Sequence, residues 1–276
     1  MEIIVLAPYE AKLLKAVSSA KRINLGTFTL IGNKKTIYEI CFRNKIDCYK
    51  FDIIDCLEEK DIIEFTKKHL LKEAAYVICG SISYYYQKQL CSLKENEDFN
   101  YINIIDLPLV DHFLFISNFP QKTRVDFDDK KKAITNAHSF MNKLGIKRTN
   151  AALVTNVRTK ADALESNIIK MSLKNENYKM INILDSYKLF DLFEKNSLVN
   201  IYKNNINLLI FRNLDASTTF LETLNVLGNC KIASIMASNN NYIIDTSDIK
   251  NEHNILFSML VLLKVLKKQE ALLKVN

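Results

Sequence analysis

Residues 2–42 read EIIVLAPYEAKLLKAVSSAKRINLGTFTLIGNKKTIYEICF, two strand–helix units placed end to end. Glu2–Leu6 is a β-branched apolar run, and Tyr9–Arg22 sets Leu13, Leu14, Val17 and Ala20 at helical spacing. Thr27–Ile31 is strand-like again and closes on Gly32, after which Lys34–Phe42 returns to a helical pattern. The alternation continues outward. Strands are expected at Phe51–Ile54, Ala75–Cys79, Ala151–Thr155, Met180–Leu184, Leu208–Phe211, Lys231–Met236 and Tyr242–Ile244. Helices are expected at Leu57–Leu71, Ser81–Leu90 and about 160–173, 186–196, 215–227 and 252–270. Such alternation predicts parallel sheets with helices on both faces. Around ten strands is many for one open sheet, so two α/β domains with a cleft between them are expected. Tyr101–Leu107 and Phe113–Ser117 succeed one another across Pro108–His112 with no helix between them, which predicts one antiparallel hairpin. Asp126 or Asp128 can cap a long helix that Gly145 ends, and the hinge is expected near Phe119–Asp126.

Composition bounds the rest. The chain has 276 residues, 48% hydrophobic and 25% charged, enough apolar surface to exclude wholesale disorder. Its longest apolar run, Ile255–Leu263, is broken by Ser258 and falls short of the about 18 residues a membrane-spanning helix needs. The opening MEIIVLAPYE carries Glu2 where a secretory signal wants a cation, so a cytoplasmic location is expected. Cysteines at 41, 48, 56, 79, 91 and 230 lack metal-site spacing and read as reduced thiols in core elements, so no metal is expected. The net charge of +7 comes mostly from lysine; it suits an anionic ligand, while no basic–aromatic interleaving points to nucleic acid. Glycine appears 5 times and proline 3, a depletion that a coding bias accounts for. No G-x-G-x-x-G, no P-loop and no G-x-S-x-G occurs. The histidines at 69, 112, 138 and 253 have no carboxylate at ligand spacing, so an exposed or capping role is expected of them.

A specific order of segments remains: TLIGNKKTI (29–37), VICGSI (77–82), DLP (106–108), LFISN (114–118), KLGI (143–146), INILDSYKLFD (181–191), INLLIFRNLD (206–215) and NYIIDTSD (241–248). Their order and spacing resemble the phosphate acetyltransferase and phosphate butyryltransferase family over nearly the whole chain. The resemblance implies two three-layer α/β domains around a cleft, isocitrate/isopropylmalate dehydrogenase-like. The first would be discontinuous, 1–122 plus 247–276, and the second would be 123–246. It implies the reaction acyl-CoA + phosphate ⇌ acyl phosphate + CoA, with CoA as substrate or product and no resident cofactor. It also implies a homodimer. Leu256, Met259, Leu260, Leu263 and Leu266 form an apolar stripe that suits core or dimer contact alike, so the dimer rests on the resemblance.

The family's chemistry maps onto positions that have changed. Its last strand ends Thr-Ser-Arg-x-Asp-Ser, where the arginine holds phosphate and the aspartate is thought to act as base on the CoA thiol. Thr246 and Ser247 match, but the arginine position is Asp248 and the aspartate position is Lys250. The resemblance thus places catalysis at Ser247, Asp248 and Lys250, and substrate contacts at Thr246, Gly80, Cys79, Lys122 and Asn118. Cys79 stands for a family lysine, Asn118 for an aspartate and Lys122 for an asparagine. Asn100–Tyr101 replaces a Ser-His pair, and Ser186–Tyr187 replaces Gly-Pro between the retained Asp185 and Asp191. A coding bias does not reverse charge. The hydroxyls of Thr246 and Ser247 and the backbone N–H groups after them are expected to face an anion, with Asp248 competing for those donors as a cap-like acceptor. Gly32, Gly80, Pro108 and Gly145, which a fold needs, persist; the cleft residues have changed. The expected protein is of the phosphate acyltransferase type with weak or lost activity. The alternative is a non-catalytic binding or partner subunit that keeps only the fold.

Overall fold

The computed structural model describes residues 2–70, 75–91, 99–108, 112–119, 125–154, 160–176, 178–184, 206–238 and 242–273. They form a mixed α/β fold with eleven strands and eight α-helices among the described residues. The chain divides into two compact units, 1–99 with 233–263, and 100–232 with 264–276.

In the first unit the strands are β1 (Glu2–Leu6), β2 (Thr27–Gly32), β3 (Asp52–Asp55), β4 (Ala75–Cys79), β10 (Lys231–Ala237) and β11 (Tyr242–Asp245). Their order is β3-β2-β1-β4-β11-β10. All neighbouring pairs are parallel except β11 with β10. Ile3–Leu6 of β1 are all buried, as a central parallel strand covered on both faces requires. The helices are α1 (Ala11–Arg22), α2 (Lys34–Arg43), α3 (Glu59–Leu70) and α4 (Tyr84–Cys91). Leu13, Leu14, Val17 and Ala20 of α1 are buried, the stripe their spacing predicts.

The second unit has β5 (Asn100–Asp106), β6 (Leu114–Asn118), β7 (Thr149–Val154), β8 (Ile181–Leu184) and β9 (Leu208–Phe211), in the order β5-β6-β9-β7-β8. β5 and β6 form the expected antiparallel pair and the other neighbours run parallel. Helix α5 (Phe127–Leu144) opens on a capping box, with Asp126 accepting from Asp129 N at 2.9 Å and Asp129 accepting from Asp126 N at 3.2 Å. Gly145 ends it at φ 96°, the left-handed cap that favours glycine. Helices α6 (Lys160–Asn175) and α7 (Leu214–Leu227) come next in this unit; the last helix, α8 (Glu252–Leu273), belongs to the first unit as far as Leu263. Ile105, Leu114, Ile116, Ala152, Leu209 and Phe211 form a buried cluster in the second unit.

Two expectations are corrected. A second antiparallel pair exists, β10 with β11, because only residues 238–241 separate these strands and a parallel crossover needs about a dozen residues. The apolar stripe of α8 is also rotated. Met259 and Leu263 are buried with Ile255, Leu262 and Val265, but Leu260 is 42% exposed. The helix expected at 186–196 lies outside the described residues. No described helix is long and apolar enough to cross a membrane.

Candidate functional site

In the first unit the chain runs from β1 outward through β2 and β3, then returns to place β4 on the other side of β1. The strand order therefore reverses between β1 and β4. In doubly wound sheets ligands bind at the carboxyl ends of the strands flanking such a switch. Leu6, Cys79 and Asp245 stand in one row across β1, β4 and β11 at that edge.

Beyond that row the three strand ends lock together. Gly80 N donates to Leu6 O at 2.9 Å and Ser81 N to Ala7 O at 2.9 Å. A Cβ on Gly80 would lie 2.5 Å from Ala7 O and 2.8 Å from Leu6 O, so only glycine lets β4 turn this close to β1. Ala7 itself takes φ 41°, a left-handed conformation in which its carbonyl also accepts from Tyr9 N at 2.8 Å. Thr246 ties β11 to β4 twice, with its N at 3.0 Å and its Oγ1 at 2.9 Å both donating to Cys79 O. Cys79 and Thr246 are fully buried.

Asp245 organises the turn that leaves β11. Its Oδ1 accepts from Ser247 N at 3.0 Å, an Asx turn, and from Gln87 Nε2 at 3.2 Å. Gln87, 2% exposed, also donates to Ile82 O at 2.9 Å, while its Oε1 is buried with no partner. Ile249 N closes the next turn on Thr246 O at 3.2 Å. Ile249 is buried, whereas Ser247, Asp248 and Lys250 are exposed. The underside of the turn is thus bonded to the sheet, and its rim carries a hydroxyl, a carboxylate and an ammonium.

This geometry revises the expected anion donors. The single hydrogen of the Thr246 hydroxyl is spent on Cys79 O, and Ser247 N on Asp245. Asp245 takes a backbone donor here, from Ser247 N. Helix α8 starts only at Glu252, and Asn251 caps it by accepting from Asn254 N at 2.9 Å. Asp245 and Gln87 are not among the residues that the sequence singles out. The Asp-Thr-Ser spacing signals the Asx turn, but nothing in the sequence links Gln87 to a residue 158 positions away.

Asn100 and Asn118 belong to the second unit. Asn118 ends β6 in the second unit, where its Nδ2 donates to Ser217 Oγ at 3.0 Å and its Oδ1 is buried without a partner. The Ser217 hydroxyl donates in turn to Leu214 O at 2.8 Å. Asn100 donates to Ser117 Oγ and accepts from Asn136 Nδ2 at 3.0 Å, a buried bridge from β5 to β6 and α5. Lys122, Asp185 and Asp191 lie outside the described residues.

Two histidines contradict the exposed or capping role expected of them. His138 is buried in α5, between Thr149 Oγ1 at 2.8 Å and Asn142 Nδ2 at 3.0 Å, and burial pushes its pKa down. His69 lies 2.8 Å from Glu2 Oε2. At Glu2 burial raises the pKa, but hydrogen bonds from His69 and Thr29 outweigh it and leave the carboxyl below its ordinary value. Cys41, Cys48, Cys79 and Cys230 are buried free thiols, and burial together with the neighbouring Cys48 pushes Cys41 up to about 12.

No protein-family model and no curated protein matches the sequence. Solved structures do match its fold. A branched-chain phosphotransacylase from Enterococcus faecalis aligns at TM-score 0.75 and 12% identity, covering 96% of this chain and 100% of that one. A phosphotransacetylase from Streptococcus pyogenes aligns at 0.71 and 10% identity, covering 97% and 94%. A phosphotransacetylase from Staphylococcus aureus aligns at 0.68 and 12% identity, again covering 97% and 94%. The chain has the fold of these phosphotransacylase structures.

Proposed function

We propose that this chain is a phosphate acyltransferase-type protein of the acetyl or butyryl kind, in which transfer between acyl-CoA and phosphate is weak or lost. The likeness to phosphotransacylase structures supports the type, and fold alone does not carry the chemistry. The observation that carries the second half is the exposed pair Asp248 and Lys250. Both stand on a turn whose buried anchors, Gly80, Asp245 and Thr246, are intact.

Acyl transfer to phosphate needs a cation to hold the incoming dianion and a group that manages the proton of the CoA thiol. Asp248 offers the dianion a like charge where the family has a clamp. Lys250 offers an ammonium, a hydrogen-bond donor without an acceptor lone pair, where the family has a base. CoA is a substrate in this reading rather than a resident cofactor, and the protein is a homodimer.

The test mixes the protein with butyryl-CoA or acetyl-CoA, phosphate and a thiol reagent, and follows CoA release. The expected rate is close to the protein-free background. Turnover near an ordinary enzyme's about 10 per second would overturn the reading.

A further inference from the structure

A second site lies at the opposite edge of the second unit's parallel strands. A cavity of about 510 Å³ is bounded there by His112, Phe113, Ile146, Arg148, Asn150 and Asn182. These residues sit just before or at the first positions of β6, β7 and β8, the amino-terminal strand ends. Ligands of α/β sheets ordinarily gather at the carboxyl ends, so neither the fold nor the resemblance assigns this cavity a role. Its volume falls in the usual range of about 300–1,000 Å³ for small-molecule sites.

The lining is built. Asn150 and Asn182 face each other in register across β7 and β8, and Asn182 Nδ2 donates to Asn150 Oδ1 at 2.9 Å. Asn207 also borders the cavity. Its Oδ1 accepts from Asn150 N at 2.8 Å, and its Nδ2 donates to Arg148 O at 2.9 Å. One Asn207 amide therefore holds the backbone at Arg148 and Asn150 by two bonds, while the Arg148 guanidinium has no ion-pair partner among the described residues. His112 Nε2 lies 3.2 Å from Ile206 O, and a carbonyl only accepts. That nitrogen carries a hydrogen, and in the neutral ring Nδ1 is left as an acceptor. Phe113 and Ile146 supply the apolar wall.

We propose that this cavity binds a small aromatic or branched monocarboxylate. Arg148 is the one permanently charged group in the lining among the described residues, which matches a single negative charge better than a phosphate dianion. A guanidinium pairs with a carboxylate through two parallel hydrogen bonds, and asparagine amides complete the polar end. The apolar wall takes the body of the ligand. The inference does not depend on the acyltransferase reading.

The test is calorimetric titration of benzoate, benzamide and inorganic phosphate into the full chain. Benzoate is expected to bind saturably at one site, with benzamide and phosphate weaker. Arg148→Gln should weaken benzoate about tenfold or more, as loss of a charged hydrogen-bond partner does. Asn182→Ala should weaken it less, and Asp248→Arg with Lys250→Asp should leave it unchanged. No saturable benzoate binding up to about 10 mM, a concentration that reaches Kd values in the millimolar class, would overturn the proposal. So would equal binding of benzoate and benzamide, or undiminished binding by Arg148→Gln. Should the glutamine variant fail to fold, the benzoate–benzamide comparison on the unmodified protein decides the matter.

Discussion

Thr246 and Ser247 are neighbours in the chain with opposite surroundings. Thr246 is fully buried and bonded twice to Cys79 O, while Ser247 is exposed and its hydroxyl has no partner among the described residues. The contrast extends across the whole junction. Gly80, Cys79, Asp245 and Thr246 form an underside in which Gly80 N, Thr246 N and the Thr246 hydroxyl all donate to sheet backbone. Ser247, Asp248 and Lys250 form a rim facing water. A change on the underside must rearrange three strand ends. A change on the rim leaves those strand-end bonds in place.

The largest expected effect breaks the underside. In Gly80→Ala the new Cβ would sit within 2.5 Å of Ala7 O, and that oxygen belongs to backbone already held by Ser81 N and Tyr9 N. The clash cannot be relieved by a side-chain rotation, so the strand ends must separate. Unfolding in urea should show a loss of about 3 kcal/mol, at the upper end for overpacking. A loss under about 0.5 kcal/mol, the scale of an ordinary surface change, would mean that β4 does not approach β1 this closely.

Thr246→Val probes the same underside more gently. The shape is kept and one donor is lost. Cys79 O retains Thr246 N at 3.0 Å, so it is not orphaned. The expected cost is therefore about 1 kcal/mol, that of one net hydrogen bond rather than of a buried unsatisfied carbonyl. A cost above about 3 kcal/mol would show that the hydroxyl holds more than this one bond.

Much of this underside is legible in the sequence, and the reasons are local. The β-branched runs at Glu2–Leu6, Ala75–Cys79 and Tyr242–Ile244 are strands because their period and composition leave no helical face, and the structure places strands there. Gly145 and Asp126 mark helix ends through backbone chemistry that acts within a few residues. The antiparallel turn of β10 into β11 is readable from its short connection, although the strand–helix alternation around it points to parallel pairing. The Gln87–Asp245 bond is not readable, because β4 and β11 become neighbours only through the crossovers between them. The rim is legible in its residue types but not in its role, since exposed side chains leave no packing signature in sequence.

A third way to sharpen the contrast uses pH on buried polar groups. Burial lowers the pKa of His138, so the unfolded chain, titrating near the ordinary 6.5, takes up that proton first as pH falls. The unfolded state then binds more protons, and stability falls with pH. Its contribution is fully present above about 6.5 and is lost as pH drops through the lowered folded value. The pair His138 Nδ1 with Thr149 Oγ1 and Nε2 with Asn142 Nδ2 suits a neutral ring with its hydrogen on Nδ1. Glu2 acts lower, because its depressed pKa yields stability that is present above 4.5 and lost below it. Melting temperature against pH should therefore decline in two windows. His138→Gln should flatten the upper window and Glu2→Gln the lower. An upper window untouched by His138→Gln would assign it to another group.

The smallest expected effect on the fold is the one that bears most on function. Asp248 and Lys250 are exposed, so Asp248→Arg with Lys250→Asp should change unfolding free energy by no more than about 0.5 kcal/mol. If the rim faces the ligand, the same pair of changes acts directly on anion binding. It replaces a carboxylate that repels phosphate with a guanidinium that pairs with it, a gain of about tenfold in affinity for phosphate or CoA. Unmodified protein should bind CoA in the millimolar range or more weakly, roughly −4 kcal/mol. Calorimetric titration of CoA into both proteins measures this directly. Restored charges without any gain, or tight binding before they are restored, would show that ligand does not reach this turn. Under the proposed function, acyl transfer is a stricter demand than binding, because the resemblance maps Asn118 and Lys122 onto changed positions as well, and Asn118 donates to Ser217 within the second unit. A gain in binding without turnover is therefore the result that the proposal expects.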